Sequence, residues 1–387
     1  MADVVSCRVG RVAAIAALAI VSFAGSAGVA RADALLDEMV EFTAQIFIID
    51  TKVPAVVIGA VRDGEMSVRG FGERAGPGSP APDGDTILRI GSITKAFTGE
   101  MLAHLTAEDT VQLTQPLAQW LPDLRPGVNG DVQRIRLIDL ATHAAGLPRE
   151  VPHEAGPDND PFATITREVF ATWLQKEPLL YAPGSSVLYS NFGFDLLAMA
   201  LSAAAKKPYP ELLKEHITGP VEMKDTGFTL TDEQTKRSMQ GQAPDGTPMP
   251  FVPTGSVIVG SGGLYSTPND LLRWMKWHLD RFGQKDAEAR VLDHALYLMR
   301  DGLKTVSGMD ESGQMDGLGL AWVAMMAKDD SPFILQKAGG LQGTFCYIAF
   351  APTRNAAVFI AINKFDFSAA FAMGEFANKL LATLAPR

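Results

Sequence analysis

A serine placed three residues ahead of a lysine can make a nucleophile, and this 387-residue chain has one such pair, in Ser92-Ile93-Thr94-Lys95. A hydroxyl attacks a carbonyl carbon poorly until a neighbouring base takes its proton. On a helix, positions i and i+3 share a face, so Lys95 would reach the Ser92 hydroxyl. Ile93, Phe97, Met101 and Leu105 recur every four residues and predict an amphipathic helix from Ser92 onward. Its first turn would offer free amides and the positive dipole end to a developing negative charge. A capping serine beside a solvated lysine shares this pattern, so other residues must decide.

Two further motifs supply partners. Tyr189-Ser190-Asn191 follows a Pro183-Gly184 turn, where a phenol could be presented to a cleft. Tyrosine titrates near 10, so a phenolate base at neutral pH needs a depression of roughly three units, about 4 kcal/mol. Two nearby ammonium groups, Lys95 and Lys337, could supply it. The alternative is a neutral Lys95 as base with Tyr189 relaying the proton, and both readings stay open. Lys337-Ala338-Gly339-Gly340 ends an apolar strand, with a turn expected over Gly339–Gly343. The Lys337 ammonium suits a substrate carboxylate. The glycines let the backbone approach a substrate, and the Gly340 and Ser92 amides are the expected oxyanion hole. S-x-x-K and K-x-G each arise by chance about once in a chain of this size, whereas Y-x-N is much rarer and carries more information.

Other signatures are missing. The six histidines show no HExxH or HxH spacing, so neither a zinc site nor any other metal or cofactor is expected. There is no G-x-S-x-G elbow, and Gly70-Phe71-Gly72 runs into a Pro- and Gly-rich stretch rather than a helix. His143 precedes Gly146 at a helix end and is expected to cap that helix rather than catalyse. Trp274 and Trp277 are expected in the core.

These residues need elements to hold them. Helical spacing marks 35–49, 136–143, 164–176, 193–205, 209–217, 271–279 and 367–384. Strands are expected at 54–61, 66–71, 87–90, 333–336, 344–350 and 356–362, with Arg62-Asp63-Gly64 as a hairpin turn. The pattern predicts an α/β (α+β) chain: a discontinuous α/β domain from 33–91 and 255–387, an antiparallel sheet flanked by helices, and a mostly helical domain over 92–254. The active site is expected between them.

Residues 1–32 read as a signal peptide, with Arg8 and Arg11 ahead of an apolar run and Ala30-Arg31-Ala32 as the cleavage site. The run from Val12 to Ala24 is short for a membrane span, which needs about 20 residues. The expected location is the periplasm, with no integral membrane segment in the mature chain. Cleavage near Ala32 removes Asp3, Arg8, Arg11 and Arg31 and moves the net charge from -10 to -12. Such a surface disfavours nucleic acid, so an anionic substrate would need a local cationic pocket. Cys7 lies in the leader and Cys346 alone remains, which excludes an intramolecular disulfide.

In order and spacing the three motifs resemble the serine β-lactamase and penicillin-binding protein superfamily, on its class C branch. The stretches LATHAAGLPRE (140–150), YSNFGFDLLA (189–198), MKDTGFT (223–229), GSGGLYSTPNDLLRWM (260–275) and LGLAWV (318–323) resemble D-alanyl-D-alanine carboxypeptidase/endopeptidases within it. The resemblance implies a β-lactamase/transpeptidase-like fold and a periplasmic enzyme that binds penicillin covalently and acts on peptidoglycan peptides. By position it makes Ser92 the nucleophile, Lys95 and Tyr189 the proton-transfer pair, Asn191 a substrate amide contact and Lys337 the carboxylate contact. One departure stands out. The family places Thr or Ser after the last lysine, and this chain has Ala338; losing that hydroxyl weakens carboxylate binding by roughly 1.5–3 kcal/mol. Gln342 or Thr344 could compensate. The rival readings are a class C β-lactamase, an esterase of the same fold, and a non-catalytic muropeptide or β-lactam sensor.

Overall fold

The computed structural model describes residues 26–124, 132–255 and 257–386, so the expected leader falls outside the described residues as far as residue 25. Among the described residues the strands are β1 (Ala55–Arg62), β2 (Glu65–Gly72), β3 (Leu88–Arg89), β4 (Val187–Leu188), β5 (Tyr265–Ser266), β6 (Leu298–Met299), β7 (Val306–Ser307), β8 (Gly317–Leu318), β9 (Val323–Met325), β10 (Ile334–Leu341), β11 (Thr344–Ala351) and β12 (Ala356–Ile362). The α-helices are α1 (Ser26–Thr51), α2 (Thr94–Ala107), α3 (Leu117–Trp120), α4 (Leu137–Ala141), α5 (Arg167–Lys176), α6 (Asn191–Ala205), α7 (Tyr209–Leu213), α8 (Asp232–Lys236), α9 (Pro268–Leu279), α10 (Ala287–His294) and α11 (Phe367–Leu384).

Eight strands form one sheet in the order β2-β1-β12-β11-β10-β9-β8-β6, every pairing antiparallel. The strands from the two ends of the chain meet at β1 and β12, with Val56 opposite Ile362. Antiparallel strands usually bury one face, yet β1, β11 and β12 are almost wholly buried. Val56, Ile58, Val358 and Ile360 pack under α1 and α11 against Val40, Phe47, Met373 and Leu381. Val57, Ile348 and Phe359 face the opposite core beneath α2 and α9. Helices on both faces explain the continuous apolar runs in these strands. No described helix is long and apolar enough to cross a membrane.

Three sequence expectations change. The helix after Ser92 is not amphipathic, because every residue from Thr94 to Leu105 is buried. Its polar positions are satisfied inside: the Thr98 hydroxyl donates to the Gly260 carbonyl at 2.8 Å and Trp274 Nε1 donates to Glu100. Trp274 stacks on Phe97 with ring centroids 3.9 Å apart, in the core as expected, whereas Trp277 is half-buried. The last motif is also longer in structure than in sequence. Strand β10 continues through Gly339 and Gly340, and the turn is only Gln342-Gly343, both at positive φ. Two such residues make the tight turn that matches strand twist, so Lys337 lies inside the strand rather than at its end.

Candidate active site

Ser92 sits in a short 3₁₀ turn, Gly91–Ile93, that joins β3 to α2. This turn is pressed against β10. A methyl group on Gly339 would lie 2.1 Å from the Ile90 carbonyl oxygen and 3.0 Å from the Ser92 nitrogen. One on Gly91, at φ +50°, would lie 2.6 Å from the Gly340 nitrogen. Glycine at both positions lets the backbones touch and brings the Ser92 and Gly340 amides to one spot. The register aims the second amide. A two-residue loop closes on a hydrogen-bonded Leu341–Thr344 pair, so Gly340, opposite Phe345, falls at a non-bonded pair and its N–H points away from β11. Gly340 is exposed there.

Lys95 is fully buried one turn below Ser92. Its Nζ lies 3.1 Å from Ser92 Oγ and donates to Asn191 Oδ1 and to the Ser261 carbonyl, both at 2.6 Å. Burial lowers its pKa to about 7; the charges of Asp195 and Glu150 oppose this, and Arg149 adds to it. Asp195 is buried beside it and accepts a hydrogen bond from Ser261 Oγ at 3.0 Å. Burial pushes the Asp195 carboxyl well above the usual range. Both shifts are toward the neutral form, because burial penalises each charge.

Tyr189 precedes α6, whose cap is Ser190: Ser190 Oγ accepts from the Gly193 amide at 3.0 Å and donates to the Pro148 carbonyl at 2.7 Å. The helix therefore starts at Asn191, two residues earlier than its spacing implied. The half-buried Tyr189 ring lies beneath three cations, with Lys95, Arg149 and Lys337 at 4.8, 4.7 and 5.2 Å from its centroid. Burial nevertheless raises the phenol pKa, against the opposing pulls of Lys337, a Ser92 hydrogen bond and Arg149. A depressed phenolate was one sequence expectation; desolvation outweighs the cations that were to produce it. Lys337 is buried, and desolvation lowers its pKa to about 8.

The fold brings Ser92, Lys95, Tyr189, Asn191, Lys337, Gly339 and Gly340 together. A cavity of about 310 Å³ opens over Ser92, Tyr189, Lys337 and Gly340. Three more side chains join them: His143, expected only to cap a helix, and Arg149 and Glu150, which sequence reasoning passed over. His143 does lie just past the end of α4, at φ +56°, but it does more than cap. Its Nδ1 accepts from the Ser190 amide at 3.0 Å and its ring stacks on Tyr189, centroids 4.6 Å apart. Burial and the three nearby cations hold it neutral. Arg149 and Glu150 end the LATHAAGLPRE stretch; Arg149 lines the cavity and Glu150 accepts from Asn191 Nδ2. That stretch was read only as a likeness, although its two charges were visible. Gln342 and Thr344 do not compensate for Ala338, because they line a separate small hollow with Arg89 and Met239. Ala338 instead borders a wall of Phe345, Phe367, Phe371 and Met373.

The Beta-lactamase family model matches residues 32–382; the chain belongs to that family and is a serine hydrolase. It is 38% identical over 332 residues to the D-alanyl-D-alanine-carboxypeptidase/endopeptidase AmpH of Escherichia coli K12, covering 84% of this chain and 83% of that one. It is similar to the crystal structure of a β-lactamase/D-alanine carboxypeptidase from Yersinia pestis complexed with citrate, at TM-score 0.80 and 36% identity, over 91% of this chain and 99% of that one. A class C β-lactamase from Rhodobacter sphaeroides shares the fold at TM-score 0.73 and 20% identity, over 88% of this chain and 98% of that one. The family resemblance and the antiparallel α/β architecture expected from sequence are borne out.

Proposed function

We propose that this chain is a periplasmic serine D-alanyl-D-alanine carboxypeptidase/endopeptidase that cuts peptidoglycan peptides through an acyl-enzyme and is acylated by β-lactams. The cleft would lie between an α/β domain (33–91 and 255–387) and a mostly helical one (92–254). The observation that carries the mechanism is the environment of Lys95 Nζ. Two of its three neighbours, the Asn191 Oδ1 and Ser261 carbonyl oxygens, only accept hydrogen bonds. A neutral amine spends its two N–H groups on them and turns its lone pair to the third, the Ser92 hydroxyl.

Ser92 Oγ attacks the carbonyl carbon while Lys95 takes its proton, and the oxyanion settles on the Ser92 and Gly340 amides. Tyr189, kept protonated by burial, passes a proton from Lys95 to the departing amine nitrogen, and D-alanine leaves. Water then attacks the ester by the reverse proton route and frees Ser92. Asn191, tethered by Glu150, holds Lys95 and contacts the substrate amide. Lys337 and Arg149 hold the terminal carboxylate, and Arg149 offers the donors that Ala338 lacks.

The test is intact mass over time with benzylpenicillin, then a muramyl pentapeptide given to untreated protein. A lasting penicilloyl adduct on Ser92, with loss of terminal D-alanine from the peptide, is expected. Ser92→Ala should fold normally and do neither; turnover retained in it would sink the assignment. Rapid antibiotic hydrolysis without an adduct would make the chain a class C β-lactamase instead. The aromatic wall beside Ala338 favours one second reading, hydrolysis of apolar esters, which faster turnover of such esters than of the pentapeptide would establish.

A further inference from the structure

Five residues beyond Lys95 on α2, Glu100 turns to the side of the helix covered by α9 and α10. There Glu100, His104, His278, Asp293 and His294 gather. His278 and Asp293 are completely buried, and Glu100 is 1% exposed. Among the described residues neither carboxylate has a lysine or arginine within ion-pair distance; the groups that close are histidines, and Arg290 acts on Glu100 only from farther away. Two buried carboxylates with no cation in contact are costly to ionise. Asp293 Oδ2 accepts from Trp322 Nε1 at 2.8 Å, but Asp293 Oδ1 and His278 Nε2 have no hydrogen-bond partner.

The spacing of the donor atoms is specific. His278 Nδ1 lies 2.9 Å from His294 Nε2, and Asp293 Oδ2 lies 3.6 Å from the first and 3.8 Å from the second. Three points so separated lie on a circle of radius about 2.0 Å, the bond length of Zn²⁺ to imidazole nitrogen or carboxylate oxygen. Without an ion, the two facing nitrogens can meet only if one of them carries the proton. A carboxylate also stands beyond the His278 ring, outside hydrogen-bond distance. The far nitrogen of His278, Nε2, lies 3.7 Å from Glu100 Oε2, and Trp274 Nε1 holds that carboxylate oxygen at 2.5 Å. A ligating histidine whose other N–H faces a carboxylate is the usual outer arrangement of a metal site. His294 is the one partly exposed member and opens the way in.

We propose that His278 Nδ1, Asp293 Oδ2 and His294 Nε2 bind one divalent transition-metal ion of the zinc class, which clips α9 to α10 behind α2. With His278 and Asp293 fully buried, its role is structural. Spacing along the chain hid the site. His278 and Asp293 sit on different helices fifteen residues apart, and only the packing of α9 and α10 brings them together.

The test uses the full mature chain, stripped with EDTA, dialysed and titrated with ZnCl₂ by calorimetry and thermal unfolding, then with CoCl₂ by visible absorption. One equivalent of Zn²⁺, a melting temperature that rises with zinc, and cobalt d–d bands of low-symmetry coordination are expected. His294→Ala should lose all three while benzylpenicillin still acylates Ser92. His216→Ala, which disrupts the neighbouring group of His104, Glu108 and His216, should keep them. No uptake and no zinc-dependent shift in the unmutated chain would overturn the proposal, whatever the variants do. Loss that follows His216→Ala instead of His294→Ala would also overturn it.

Discussion

Lys95 can take a proton from Ser92 only while it is uncharged, and Lys337 can hold a carboxylate only while it is charged. Burial lowers the first to about 7 and the second to about 8. kcat/KM for a peptide with a free C-terminal carboxylate should therefore rise with pH through about 7 and fall above about 8. An ester without a carboxylate should keep the rise and lose the fall. A rate profile for both substrates over pH 5 to 10 checks this. The same burial sets a stability slope. Between about 7 and the ordinary lysine pKa, the unfolded chain binds a proton at Lys95 that the native state does not, so this group's contribution grows with pH there and is lost as pH falls through about 7. Tyr189→Phe keeps the ring under the cations and removes the relay, so kcat should drop by about 10²–10⁴. Arg149→Ala should raise KM for the carboxylate substrate by about ten- to a hundredfold, the loss of one charge-assisted hydrogen bond, and leave the neutral ester nearly unchanged. These residue types and their order were legible in the chain. The direction of the Tyr189 shift was not, because desolvation depends on what the fold packs around the phenol.

At the scale of elements, the site depends on two backbones lying in contact. Gly339→Ala would place a methyl 2.1 Å from the Ile90 carbonyl, so the Ser92 turn must move off β10. A misplacement of about 1 Å can cost on the order of 10²-fold, so benzylpenicillin acylation should slow by at least that much while the far-UV circular dichroism stays native. Helix α2 meets a similar limit at Gly99, where a methyl would lie 2.2 Å from the Leu320 carbonyl. Gly99→Ala should therefore lower the melting temperature, although alanine is the better helix former by about 1 kcal/mol. Apolar periodicity located α2 and the central strands well. It misjudged the surroundings of α2, because a stripe at every fourth residue shows one apolar face and says nothing of polar residues that find partners indoors. It also stopped β10 early, because glycine signals a turn in sequence, whereas here it serves a close approach within a strand.

Over the whole molecule, chain ends more than 300 residues apart share one sheet. Asn363 ties them together: its Oδ1 accepts from the Ala55 amide at 2.8 Å and its Nδ2 donates to the Glu73 carbonyl at 3.3 Å, with the side chain fully buried. Asn363→Ala leaves the Ala55 amide unsatisfied and should cost about 1–3 kcal/mol, read as a lower urea midpoint with unchanged slope.

Taken alone, the amino-acid sequence determined the family and the alternation of strands and helices, and it supplied the serine–lysine pair, tyrosine and last-lysine motifs on which the proposed mechanism rests, because these depend on residue type and short spacing. Only the tertiary structure decided which groups share a surface. It set His143 beneath Tyr189, turned Arg149 to the cavity and Glu150 to Asn191, separated Gln342 and Thr344 from them, and brought His278, Asp293 and His294 together. Those outcomes rest on contacts between distant segments and on the desolvation they impose, and neither quantity is local to the chain.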